Sequence, residues 1–284
     1  MAFLSISLAM TAPFYLGHSR LLNHEGMLAV FVLISLLGMH VYLEKGKSLI
    51  FLLVSGAAFG LAQLTKSTSI ALIGLVGLML VVGLFTRGEK TLGMKILDAL
   101  KTFGIWLASA ALVYFVLWPG MWTAPGKMLS GVYGNAFSYA FQGARLDVTE
   151  ELEPDTFNLV TRSDGFLLYL KYWASGTTFM TWMGMIFAFV AAFSKNLDRV
   201  IKSLLIYLVI LGGGFILMFS IAQGRNASHY IMTSFVSFDI IAGIGWGSVL
   251  LWAQSRWKGL AQVSASLAAL TVLTLIQIGF GLGF

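Results

Sequence analysis

Two apolar runs lie back to back with a single charge between them. Ser48–Thr65 ends at Lys66, and Ser67–Phe85 begins at once. Each run is close to the ~20 residues that cross a bilayer as a helix. In lipid every backbone N–H and C=O must be paired within the segment, so such runs can only be helical. Lys66 therefore marks a turn between two membrane helices, where a charge is costly and has a purpose or a partner.

The same criterion picks out further segments at Phe3–Leu16, Gly26–Leu43, Thr102–Pro119, Thr177–Ser194, Ser203–Ala222, Tyr230–Gln254 and Gly259–Gly283. About nine apolar segments predict an all-α, polytopic transmembrane helical bundle, with residues 1–284 as a single transmembrane domain. The first segment has only 14 residues and contains Pro13, which suggests a partial or re-entrant element, or a chain that begins inside a longer protein. With 58% hydrophobic and 11% charged residues, the composition lies outside the soluble range. The chain has no cysteine, which excludes disulfides and thiolate metal sites. The net charge of +6 is assigned to basic cytoplasmic loops, not to nucleic-acid binding.

Charge placement predicts the orientation. With a cytoplasmic N-terminus, the inner loops carry Lys45, Lys47, Arg87, Lys90, Lys95, Lys101, Lys195, Arg199, Lys202, Arg256 and Lys258. The short outer turns carry only Arg20, Lys66 and Arg225. This is a positive-inside pattern for an integral, multi-pass protein of the cytoplasmic membrane. The only sizeable extracytoplasmic loop is then 120–176, and its stretch 166–173 (Phe-Leu-Leu-Tyr-Leu-Lys-Tyr-Trp) has the aromatic, amphipathic character of an interfacial helix.

The three outer basic residues sit in polar clusters. These read His18-Ser19-Arg20…Asn23-His24-Glu25, Thr65-Lys66-Ser67, and Arg225-Asn226-Ala227-Ser228-His229-Tyr230. Arginine and lysine at headgroup depth suit a lipid phosphate; the plainer role is snorkelling to the interface or pairing with a carboxylate. Glu25 is the only carboxylate in these turns. It serves either as a proton acceptor or as an acid stabilising the start of the following helix. His24 and His229 are candidate polar contacts to a substrate, their plainer role being solvated side chains at the interface, and Asn226 is read as part of the same site. A metal held by His24, Glu25 and His229 is conceivable, but the spacing gives it little support. Asp239 falls near the middle of a span, where a carboxylate is a functional candidate; its plainer role is a hydrogen bond to a Ser or Thr on a neighbouring helix.

Three pieces of the sequence resemble one family. They are Ala12-Pro-Phe-Tyr-Leu-Gly-His-Ser-Arg20 with Glu25 opening the next helix, Gly56-x3-Gly60-Leu-Ala-Gln-Leu-Thr-Lys66, and Arg225-x4-Tyr230 entering a helix. Their order is similar to that in the polyprenyl-phosphate-sugar-dependent glycosyltransferases of the GT-C fold. That group includes the protein O-mannosyltransferases and the lipid A aminoarabinose transferases. The resemblance spans roughly residues 1–250, and the Gly56–Lys66 piece is its most specific part. It implies an active site at the outer face, a polyprenyl-phosphate-linked sugar as donor, and a protein or lipid acceptor. Lys66 then lies near the carrier phosphate, with Arg20, Arg225 and Tyr230 beside it. Glu25 stands where members often have aspartate. Members carry their main catalytic carboxylates in an acidic first outer loop that has no counterpart here. The resemblance therefore implies a C-terminal portion whose main base lies elsewhere. The competing readings are a polytopic transporter and a non-catalytic membrane assembly subunit.

Overall fold

The computed structural model describes residues 1–21, 23–86, 91–141, 143, 165–195, 197–222, 226–256, 271–272, 275–277 and 279. Among the described residues every regular element is helical. In chain order these are α1 (Ala2–Thr11), α2 (Pro13–Ser19), α3 (Glu25–Glu44), α4 (Leu49–Thr65), a 3-10 turn (Ser67–Ile70), α5 (Ala71–Thr86) and α6 (Leu92–Leu117). They continue with α7 (Gly120–Thr123), α8 (Pro125–Phe141), α9 (Gly165–Gly176), α10 (Phe179–Phe193), α11 (Arg199–Ile221), a second 3-10 turn (Ser228–Ile231) and α12 (Met232–Arg256).

Among the described residues, five helical stretches are long and apolar enough to cross a membrane: Glu25–Glu44, Ser67–Thr86, Leu92–Leu117, Arg199–Ile221 and Ser228–Arg256. A sixth arises if α9 and α10, bent by 104° at their junction, count as one span. The other expected segments do not meet that length among the described residues, each for a stated reason. The first segment is two short helices, because the break at Ala12 and Pro13 ends α1 and starts α2 with proline in its first turn. α4 has 17 residues, about 26 Å at 1.5 Å per residue. Most of Gly259–Gly283 lies outside the described residues. α6 starts ten residues before the expected Thr102. Its first turns contain Lys95, Asp98 and Lys101, so Lys95 and Lys101 are helical and not in the expected inner loop. The supposed outer loop 120–176 is helical over α7, α8 and α9, and the stretch 166–173 lies within α9.

The chain divides into two compact units. Unit 1 comprises Met1–Gly26, Leu167–Ile216 and Ser228–Phe284. Its centre is α12 with α1 and α10 against it. Small residues permit the approach: a side chain at Gly184 would run into the Ala242 backbone, and one at Gly243 into Ser5. Ser5 Oγ donates to the Ile240 carbonyl at 3.0 Å. The Trp246 indole donates to the Met180 carbonyl at 3.0 Å. Where helices gain nothing from excluding water, such close backbone approach and interhelical hydrogen bonding are what hold them together. Leu4, Leu8, Met180 and Ala242 form the apolar core at this junction. Ser234 Oγ ties α12 to α11 through the Gly212 carbonyl at 2.7 Å.

Unit 2 comprises Met27–Phe166 and Leu217–Ala227. α4 and α6 make its tightest seam. Gly56 and Gly60 lie against the backbones at Trp106 and Ala110, where no side chain fits. Trp106 is fully buried and stacks on Phe59 with ring centroids 4.5 Å apart. Its indole donates to Ser55 Oγ at 3.0 Å, and Ser55 Oγ in turn donates to the Ser35 carbonyl at 2.6 Å. Helices α3, α4 and α6 are thereby linked through one hydroxyl. Lys95 Nζ donates to the Leu84 carbonyl at 3.1 Å, closing the C-terminus of α5. A lysine suits that position because the helix dipole leaves partial negative charge there.

Candidate functional site

Lys66 occupies a one-residue break. Its backbone is extended (φ −164°, ψ 133°), which ends α4 and opens the 3-10 turn at Ser67. Its amide still donates to the Ala62 carbonyl at 2.8 Å. Its own carbonyl accepts from the Ser69 amide at 3.2 Å and from Ser69 Oγ at 2.9 Å. The residue is thus fixed from both sides by backbone and serine bonds. Lys66 Nζ lies 5.8 Å from the centre of the Phe219 ring, within cation–π reach.

Polar groups within unit 2 surround this break. Gln63, one helical turn earlier, is buried. Its Oε1 accepts from the Tyr133 hydroxyl at 2.9 Å, while its Nε2 is buried with no hydrogen-bond partner. Thr68 Oγ1 is likewise buried and unpartnered. Tyr133 comes from α8, which lies against the 3-10 turn. Burial raises the Tyr133 phenol above its ordinary range, a hydrogen bond with Tyr114 working in the opposite direction. At neutral pH it is therefore a neutral hydroxyl that can donate. Buried polar groups are normally satisfied, and an amide and a hydroxyl left unsatisfied beside a lysine call for an explanation. Both groups can donate, so an oxygen-rich or anionic ligand would meet them.

The other sequence candidates are placed as follows. In unit 1, Arg20 is exposed at the end of α2, and His24 is exposed in the turn before α3. Glu25 is buried, with 1% of its surface exposed, in the first turn of α3. The Glu25 amide donates to Asn23 Oδ1 at 2.9 Å. That bond fixes the entry to the helix, and the acid sits where the helix dipole favours it. His229 and Tyr230 lie in the 3-10 turn before α12 with rings 4.4 Å apart, and the His18 ring is 6.0 Å from that of His229. His18 Nδ1 is 3.0 Å from the Phe14 carbonyl, which makes it the protonated nitrogen. In unit 2, Asn226 is exposed. Arg225 lies outside the described residues. Among the described residues no three His, Asp or Glu side chains gather around a common point that would hold a metal. Asp239 is buried on α12 and hydrogen-bonded to Thr181 of α10 at 2.6 Å, a partner of the kind the sequence suggested.

Lys66 stood out in the sequence because charge is rare in an apolar run. Gln63 carried a weaker signal of the same kind, as the one amide side chain inside that run. Tyr133 had none, being 70 residues away from Gln63.

The helices and their lengths define the class: a helical membrane protein with several apolar spans. Comparison with protein-family models, with curated proteins and with solved structures finds no match to this chain.

Proposed function

We propose that the chain is a membrane glycosyltransferase of the GT-C type. It would pass a sugar from a polyprenyl-phosphate carrier to a protein or lipid acceptor at the outer face of the cytoplasmic membrane. The observation that carries the reading is the break at Lys66. One ammonium, one buried unsatisfied amide (Gln63 Nε2) and one buried unsatisfied hydroxyl (Thr68 Oγ1) fall within six residues at the junction of two apolar helices. A phosphate accepts hydrogen bonds from all three, and the bonds from the ammonium are charge-assisted. The resemblance of Gly56–Lys66 to the family gives the phosphate its carrier.

In the transfer, an acceptor oxygen attacks the anomeric carbon and a glycosidic bond forms. The bond from that carbon to the carrier phosphate oxygen breaks, and the phosphate leaves with the electron pair. The acceptor's proton passes to a carboxylate. Donors held at the phosphate stabilise the charge it gains, in a medium where such bonds are strong. In this reading Lys66 acts on the leaving group, with Arg20, Arg225 and Tyr230 as further carrier contacts. His24, Asn226 and His229 contact sugar or acceptor. Glu25 is the carboxylate candidate within this chain. The cytoplasmic N-terminus and outward-facing site rest on the positive-inside pattern.

The test uses the chain in lipid nanodiscs. Native mass spectrometry should retain polyprenyl phosphate on the wild type and on Lys66→Arg, and lose it on Lys66→Ala. In a sugar-transfer assay on membranes, Lys66→Ala should abolish transfer while insertion is unchanged. Equal carrier retention by Lys66→Ala and wild type refutes the assignment. A transporter reading would draw on the 104° bend between α9 and α10; solute flux into proteoliposomes lacking any lipid-linked sugar would favour it.

A further inference from the structure

Gln63 is held from behind by two phenols. Its side chain is buried on α4, with 8% exposure, and its Oε1 accepts from the Tyr133 hydroxyl of α8 at 2.9 Å. Tyr133 shares a second hydrogen bond, with Tyr114 of α6. A phenol owns one hydrogen and keeps lone pairs to accept with. The Tyr133 hydrogen goes to Gln63, so Tyr114 supplies the hydrogen between the two phenols. The bonds therefore run one way, from Tyr114 through Tyr133 to Gln63 Oε1. All three residues belong to unit 2.

This direction decides what Gln63 offers. An amide side chain has an acceptor end and a donor end. With the acceptor end bonded to Tyr133, the donor end remains, and Gln63 Nε2 is buried with no hydrogen-bond partner. Thr68 Oγ1, on the other side of Lys66 in the chain, is in the same state. A tie between α4 and α8 does not need this arrangement, since an apolar side chain would pack there without burying an unsatisfied donor. Turned over, the amide would present its carbonyl, an acceptor that disfavours an anion. That turn requires both phenols to reverse their hydrogens together, and linked hydrogen bonds of one direction support one another.

We propose that Tyr133, backed by Tyr114, is a positioning residue that holds the Gln63 amide with its nitrogen as the available end. It thereby sets the ligand chemistry at the Lys66 break: a phosphate group whose oxygens accept hydrogen bonds. Tyr133 acts on that ligand only through Gln63. The inference rests on the carrier-phosphate reading of the break and adds to it the residue that determines specificity.

The test titrates farnesyl phosphate, a short prenyl phosphate, and separately inorganic phosphate onto the full chain in nanodiscs. Wild type should bind farnesyl phosphate. Binding of inorganic phosphate alone would make the group a free phosphate, which removes the prenyl carrier and supports the positioning role if Tyr133→Phe weakens it. Tyr133→Phe should weaken the bound probe about 5- to 10-fold, the worth of one well-placed hydrogen bond to an anion. Gln63→Met should weaken it at least as much. Tyr133→Phe added to Gln63→Met should then change nothing further, because the two residues act as a unit. Full affinity in Tyr133→Phe, or an equal loss on adding it to either background, overturns the inference. Wild-type affinity in Lys66→Ala would instead refute the carrier reading; lost affinity there with none lost in Tyr133→Phe removes the positioning role alone. If Gln63→Met does not fold, 15N-glutamine labelling gives the readout. One side-chain amide signal should move both on adding farnesyl phosphate to wild type and on Tyr133→Phe without it, and the absence of any signal that answers to both overturns the proposal.

Discussion

Gly60→Ala tests the seam that holds Lys66 in place. A Cβ built at Gly60 lies 2.6 Å from the Ala110 carbonyl oxygen and 3.0 Å from Val113 Cβ. Carbon–oxygen contacts between helices ordinarily begin near 3.3 Å. The added methyl therefore demands about 0.7 Å of extra separation where it meets the α6 backbone. Backbone cannot rotate away as a side-chain tip can, so the helices must part. Parting them also loosens the contact at Gly56, which is tighter still. Overpacking of this kind costs ~1–3 kcal/mol. Alanine's better helix propensity offsets up to ~1 kcal/mol of that, which leaves a net loss of about 0–2 kcal/mol against wild type and about 1–3 kcal/mol against a glycine-to-alanine change that meets no neighbour. Gly74→Ala is the control, since nothing lies within 4 Å of a Cβ there; it should be neutral or slightly stabilising. Reversible unfolding in mixed micelles measures both. Lys66 follows Gly60 by six residues, about 9 Å along the helix, so Gly60→Val should also weaken carrier retention more than Gly74→Val. Gly60→Ala as stable as Gly74→Ala would refute the close-approach argument.

Ser55→Ala should destabilise by ~1–2 kcal/mol in the same unfolding assay and shift Trp106 fluorescence. It leaves the fully buried indole N–H without its acceptor. Tyr133→Phe removes the hydroxyl that donates to Gln63 Oε1 and should cost ~1 kcal/mol; carrier retention that falls with it would place Gln63 at the phosphate, and unchanged retention would exclude the amide from the site. Lys202→Met should cost at most ~1 kcal/mol, by releasing the Ser194 carbonyl at the end of α10, with faster amide exchange confined to residues 191–194.

The fold was legible in the sequence to the extent that apolarity alone decides it. Glu25–Glu44, Ser67–Thr86, Arg199–Ile221 and Ser228–Arg256 lie within a few residues of the expected runs. α6 was placed late because an apolar-run criterion treats charge as an end. Lys95 and Asp98 are nonetheless helical, since each has an electrostatic use: Lys95 closes α5, and Asp98 lies 3.7 Å from Lys47. The helices α7, α8 and α9 were hidden for a different reason. They are too short or too polar to read as spans, and their aromatic residues fit an interfacial segment equally well. Tyr169 shows the difference, being fully buried in unit 1 while its neighbours Phe166 and Leu167 are exposed.

The two polar sites follow the same logic from opposite directions. In an apolar helix a charged residue announces itself, so Lys66 and Asp239 were both found from the sequence. What each one meets depends on distant residues that carry no local mark. Tyr133 reaches Gln63 across 70 positions, and Gln277 reaches Thr178 across 99. The consequence is chemical. At Lys66 the added groups are donors, Gln63 Nε2 and Thr68 Oγ1, so the position favours a ligand rich in acceptors. At Asp239 the added group is a hydroxyl, Thr181 Oγ1, which donates to the carboxylate at 2.6 Å, so the acid serves to tie α10 to α12. A charge in a span thus says that a partner exists, and the hydrogen-bond count around it says what that partner must supply.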